Sequence, residues 1–145
     1  MKKFWVSILA GSFISSLISG CASTPTVQHE LERDWILTHA EVAEHSISSN
    51  ELASNYTLNI NLDGSINGLN ACNRWHSTYK IESEKLSIGP VASTKKRCNL
   101  SSDNLTLITR KFPSALSTPA TIHLGQDTLT LSWSDKEYFK FKLKD

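Results

Sequence analysis

The side chains of this sequence best suited to chemistry are Cys72, His76 and Cys98. A cysteine four residues ahead of a histidine raises the prospect of a thiolate nucleophile with an imidazole base. The surrounding period-2 alternation predicts a strand, however, in which residues four apart share a face yet stand about 13 Å from each other, too far for a hydrogen bond. Thiolate and imidazole also suit zinc or copper, but a Cys72, His76, Cys98 site meets the same spacing and lacks a second close ligand pair. His29, His39, His45 and His123 add no ligand spacing. The expectation is no catalytic residue, no metal and no cofactor, with a disulfide between Cys72 and Cys98 as the remaining use of the thiols.

That use depends on compartment, which the N-terminus addresses. Lys2 and Lys3 precede an uncharged stretch from Phe4 to Ile18, the arrangement of a targeting leader. The stretch is too short and too rich in Ser and Gly for a spanning helix of about 20 residues. It ends in Leu17-Ile18-Ser19-Gly20-Cys21, which resembles a bacterial lipobox. The resemblance implies cleavage before Cys21, diacylglycerol on its sulfur and an acylated, palmitate-bearing amine. Ala22 in place of Asp then favours the outer membrane, facing the periplasm. Such an anchor holds far more firmly than the single chain that gives only marginal binding. With Cys21 lipidated in an oxidising envelope, Cys72 and Cys98 are one possible pair. Closing their loop would contribute roughly 3.5 kcal/mol.

The chain divides into a leader over 1–20, a lipidated flexible tether over 21–31 containing Pro25, and one domain over 32–145. Loss of Lys2 and Lys3 with the leader takes the formal charge from +1 to about −1. A nearly neutral chain without a nucleic-acid motif argues against nucleic acid as a partner.

Alternation places a first strand near 34–40, a loop over 41–54, and a strand through Tyr56, Leu58, Ile60 and Leu62. Asp63-Gly64 signals a hairpin turn, and Asn67-Gly68 a second turn that ends a short strand over 65–67. Trp75, Ser77, Tyr79 and Ile81 share one face of the next strand, opposite Arg74, His76, Thr78 and Lys80. Leu86 and Ile88 continue until Gly89-Pro90, and a further strand is expected over 91–95. Leu105, Ile108, Phe112 and Leu116 then recur at helical spacing. Ser102 or Asp103 is expected to cap that helix, with a stop near Phe112 imposed by Pro113. Strands return through Ile122 and Leu124, through Leu129, Leu131 and Trp133, and through Phe139, Phe141 and Leu143. Lys140, Lys142 and Lys144 make the last strand look like an exposed edge. The expected fold is mainly β: a small antiparallel barrel-like domain of about eight strands with one α-helix packed against it.

The segment Gly68 to Cys98 resembles the META-domain family, which includes HslJ-like heat-shock lipoproteins. The residues that carry the resemblance are Gly68, Cys72-Asn73-Arg74-Trp75, Tyr79, Leu86-Ser87-Ile88-Gly89-Pro90, Thr94 and Cys98, supported by Trp35 upstream and the helix with two strands downstream. Departures are Ala71 and Ser77 where glycine is usual, Lys96-Arg97 for a commonly Met-containing pair, and Thr109 for a helix glutamate. The resemblance implies a non-enzymatic barrel-like domain with envelope-stress and surface roles.

Asn70 and Asn73 flank Cys72 and suit a bend, while Trp75 and Tyr79 read as core. Gly68, Asn70, Asn73, Arg74, Thr94, Lys95, Lys96 and Arg97 form the candidate interaction surface. Its Lys95-Lys96-Arg97 run would suit an acidic envelope component such as lipopolysaccharide or an anionic protein. Two other readings are a barrel holding a small apolar or amphipathic ligand and an inhibitor of a hydrolase.

Overall fold

Period-2 apolar patterning folds this chain into antiparallel strands that curl until the first meets the last. The computed structural model describes residues 27–52 and 54–145; the leader, Cys21 and most of the tether lie outside those residues, as does Ala53. The strands are β1 (Asp34–Val42), β2 (His45–Ser48), β3 (Thr57–Ile60), β4 (Ser65–Asn70), β5 (Asn73–Glu82), β6 (Lys85–Ile88), β7 (Ala92–Ser93), β8 (Ala120–Leu124), β9 (Thr128–Ser134) and β10 (Glu137–Leu143). Helices are α1 (Val27–Leu31), α2 (Ser49–Leu52) and α3 (Asp103–Lys111), with a 3-10 turn at Ser114–Ser117.

Eight strands close the barrel in the order β1-β3-β4-β5-β6-β8-β9-β10, and β10 returns to β1. The expectation of an exposed last strand is corrected by this closure. Trp35, Leu37 and Ala40 of β1 face Leu143, Phe141 and Phe139 of β10 across the ladder. A row of lysines looks the same on a free edge as on the outer wall of a closed barrel, and here Lys140 and Lys142 coat the wall. The two other strands are short additions, β2 on β1 and β7 on β5.

Three further expectations change. The segment 41–54 is a hairpin strand plus α2 rather than a loop, and its turn at Ala43 and Glu44 takes positive φ without glycine or asparagine to announce it. Asn67-Gly68 is no turn, because β4 runs on to Asn70. A Cβ on Gly68 would collide with the Thr57 carbonyl oxygen, so glycine here admits the close approach of β3. The strand expected over 91–95 shrinks to Ala92–Ser93. From the stretch assigned to the tether, Val27–Leu31 joins the fold: Leu31 is buried, and its carbonyl accepts from Trp35 Nε1 at 3.1 Å.

The helix over 103–111 forms as expected. Ser102 Oγ accepts from Leu105 N–H, and Phe112, ahead of Pro113, leaves the helix in an extended conformation. Phe112 drops into the barrel, where its ring lies 5.6 Å from Trp75, 5.6 Å from Phe139, 6.2 Å from Phe141 and 6.4 Å from Tyr56, centroid to centroid. All five side chains are almost fully buried. Trp75 and Tyr79 are therefore core, and the barrel centre is filled by side chains.

The topology gives the barrel two different mouths. One gathers the β3–β4, β5–β6 and β8–β9 turns around α1. Tyr79 OH donates to Asn61 O and accepts from Gln28 Nε2, Arg33 Nη1 donates to Gln126 O, and Ile122 N–H donates to Glu84 O. The other mouth carries the β4–β5 turn, α2, α3 and the segment from Gly89 to Ser102.

Candidate functional site

At that second mouth the Gly68 to Cys98 residues come together as a clasp. Asn70 and Asn73 are paired across the β4–β5 turn, leaving Ala71 and Cys72 at its tip. Ala71 has φ of 55°, a conformation that glycine takes most cheaply. This is one of the two positions where the family pattern has glycine. Cys72 is bonded to Cys98, with Cα atoms 5.6 Å apart. The bond consumes both thiols, so neither serves as nucleophile or thiolate ligand. His76 stands exposed on the outer face of β5, paired with Ala92.

Asn73 reads from the sequence only as a bend residue, and its actual work is more specific. Its side-chain amide behaves like one residue of a strand toward Lys96: Oδ1 accepts the Lys96 N–H at 2.7 Å, while Nδ2 donates to the Lys96 carbonyl at 3.1 Å. Oδ1 also accepts from Thr94 Oγ1 at 3.0 Å. Thr94 Oγ1 in turn accepts the Arg74 N–H, and Thr94 N–H donates to the Arg74 carbonyl. Asn73, Thr94 and the disulfide thus hold the irregular 94–98 segment against the start of β5. Its residues 94–97 are exposed.

Asn70 faces the other way and ties the turn to α3, its Nδ2 donating to the Thr109 carbonyl at 2.9 Å. Thr109 Oγ1 lies 2.7 Å from Tyr56 OH and donates to the Leu105 carbonyl. Burial pushes the Tyr56 phenol above its ordinary pKa, against the opposing effect of that Thr109 contact. Ser77, the other residue in place of a family glycine, donates from Oγ to the Pro90 carbonyl and secures the bend where the segment leaves the barrel. Asn70 Oδ1 and Trp75 Nε1 are buried without a hydrogen-bond partner among the described residues.

Arg74, Lys95, Lys96 and Arg97 are all exposed, and none lies within salt-bridge distance of a carboxylate among the described residues. Two clefts border this surface. One, of about 460 Å³, lies beside the disulfide among Glu51, Asn55, Tyr56, Asn99, Ser101 and Leu105. Glu51 is held below the usual carboxylate range by the hydrogen bond from Asn104, with that from Ser48 N–H second. The other, of about 660 Å³, runs over the outer wall past Asn59, Asn67, Arg74, His76 and Lys144.

The model of the META domain matches residues 28–145. The chain belongs to the META-domain family. Its fold is also similar to solved structures of low sequence identity. An NMR structure of a protein from Burkholderia xenovorans superposes with TM-score 0.63 and 18% identity, covering 94% of this chain and 99% of that one. A second NMR structure superposes with TM-score 0.59 and 20% identity, covering 80% and 93%. A crystal structure of a DUF4847 family protein from Bacteroides vulgatus gives TM-score 0.49 at 13% identity, covering 79% and 96%. No curated protein matches the chain in sequence. In this META domain the residues of the candidate surface thus divide by role: Asn70, Asn73 and Thr94 shape the clasp, Gly68 admits β3 beside it, and Arg74 with Lys95–Arg97 are what it displays.

Proposed function

We propose that this META domain is a non-enzymatic interaction module of the bacterial envelope, held to the outer membrane through lipid on Cys21, whose clasp docks an anionic partner. The observation that carries the reading is the charge of Arg74, Lys95, Lys96 and Arg97, without ion-pair partners among the described residues, at a segment fixed to β5 by a disulfide and the Asn73 amide. Cations without internal partners keep their potential for an incoming group, speeding encounter and selecting against like charge. A small-ligand carrier would need interior space, which Phe112 and the rings around it occupy.

Photo-crosslinking in cells from position 96 tests the docking. The expected result is a discrete adduct that disappears when Lys95 and Arg97 are changed to glutamate. A site that captures nothing sinks the reading. The anchor has its own check: Cys21→Ser protein should lose labelled palmitate and leave the membrane fraction, and retention of both would refute lipidation.

A further inference from the structure

The two mouths differ in charge as well as in architecture. Around α1, the attachment mouth carries Glu30, Glu32, Asp34, Asp63, Glu82, Glu84, Asp127 and Asp145 against Arg33, Lys85, Lys142 and Lys144. These carboxylates sit on separate segments brought to one end by the topology, and Glu30 and Glu84 border the same groove with Ile122 and Leu124. The clasp cations lie at the far end of β5, whose ten residues run from Asn73 at the clasp to Glu82 at the attachment mouth. Carboxylates at the clasp mouth, Glu41, Glu44, Glu51, Asp103, Asp135 and Glu137, belong to other elements, and among the described residues none reaches those cations within ion-pair distance.

We infer that the domain is polarised: its acidic mouth faces the membrane that anchors it, and its cationic clasp faces away, toward an acidic protein segment presented from the opposite side. The inference rests on the lipid at Cys21 and on the clasp as docking surface, as proposed above. Chain length supports the orientation. However residues 21–26 are arranged, they reach at most about 20 Å. Ten strand residues tilted as barrel strands are separate the two mouths by about 25 Å. Inverting the domain to lay the clasp on its own bilayer would stretch the connection past its limit.

The chemistry of the surface favours a peptide over a glycan. Saccharides are gripped largely by stacking on aromatic faces, and the rings nearest the clasp, Tyr56 and Trp75, are turned into the core. What is offered outward is Arg74 beside a run of three exposed cations, matched to carboxylates spaced along a chain.

Full-length lipidated protein, reconstituted into vesicles of phosphatidylcholine alone or with phosphatidylglycerol, separates the outcomes, with fluorescent polyglutamate as probe. The peptide should bind equally on both vesicle types, and combined Lys95→Glu, Lys96→Glu and Arg97→Glu should weaken it roughly tenfold or more. The neutral variant with glutamine at these positions should fall between. Acetylation mapped by mass spectrometry should find Lys95 and Lys96 equally reactive on both vesicles and shielded only by peptide. Shielding by phosphatidylglycerol alone would show the clasp lying on its bilayer and overturn the inference. So would a charge-reversed variant that binds polyglutamate like the wild type. A crosslinked partner in cells whose capture survives charge reversal would overturn the acidic-segment assignment while leaving the docking surface in place. No adduct at all would remove the docking reading itself.

Discussion

The barrel interior and the clasp are built from opposite materials. Inside, Phe112, Trp75, Tyr56, Phe139 and Phe141 interlock through apolar contact spread over strands distant in sequence. At the clasp, one covalent bond, the Asn73 amide and Thr94 hold an exposed segment that has almost no regular structure. The interior resists change because its hub, Phe112, meets four other buried rings. The clasp is determinate because a few directional bonds fix it, so single substitutions can release it while the barrel stays folded.

The largest effect should come from breaking the interior. Phe112→Ala should cost about 3–5 kcal/mol in urea unfolding, since it opens a cavity at the meeting point of the other rings. A loss below about 1 kcal/mol would mean that the rings do not share one core. Replacing Cys72 and Cys98 together by serine should cost roughly 3 kcal/mol, and hydrogen exchange should show the 94–100 amides opening while β9 and β10 stay protected. Uniform loss of protection would erase the distinction between the two regions.

Asn73→Ala should cost about 1–2 kcal/mol by leaving the Lys96 backbone groups without their partner. Its signature is selective: exchange at the Lys96 amide should accelerate far more than exchange at Leu131. In the opposite direction, Ala71→Gly should stabilise by about 1 kcal/mol by relieving positive φ at the turn tip. Equal or lower stability would assign the cost to the lost methyl contact instead.

How far the sequence predicted each region follows from the same contrast. Alternation at Trp75, Ser77, Tyr79 and Ile81 and helical spacing at Leu105, Ile108 and Phe112 announced most of the interior, because burial is periodic. Barrel closure was hidden, since Lys140 and Lys142 look alike on a wall and on an edge. Gly68 misled for a related reason: next to asparagine it signals a turn, whereas its role is to let β3 come close. At the clasp, cysteine counting offered the pairing of Cys72 with Cys98. The grip of Asn73 on Lys96 had no local signal, because it joins a side chain to a backbone 23 residues away.

A smaller effect concerns pH. Hydrogen bonds lower the pKa of Asp63, chiefly through Ser65, and of Glu51, chiefly through Asn104. Each contribution is present above the unfolded-state carboxylate pKa and is lost as pH falls through the lower folded value. Asp63 is exposed and Glu51 partly so, so Glu51→Gln with Asp63→Asn should only slightly flatten the acid limb of the stability profile, and a large change there would mean these contacts matter more than their exposure allows.

The division between framework and displayed surface is tested most directly by crosslinking yield from position 96 in cells, compared between wild-type protein and Asn73→Ala. The yield should fall several-fold in the variant while its barrel still unfolds cooperatively. An unchanged yield would contradict the account, because the cations would then reach their partner without the clasp that holds them.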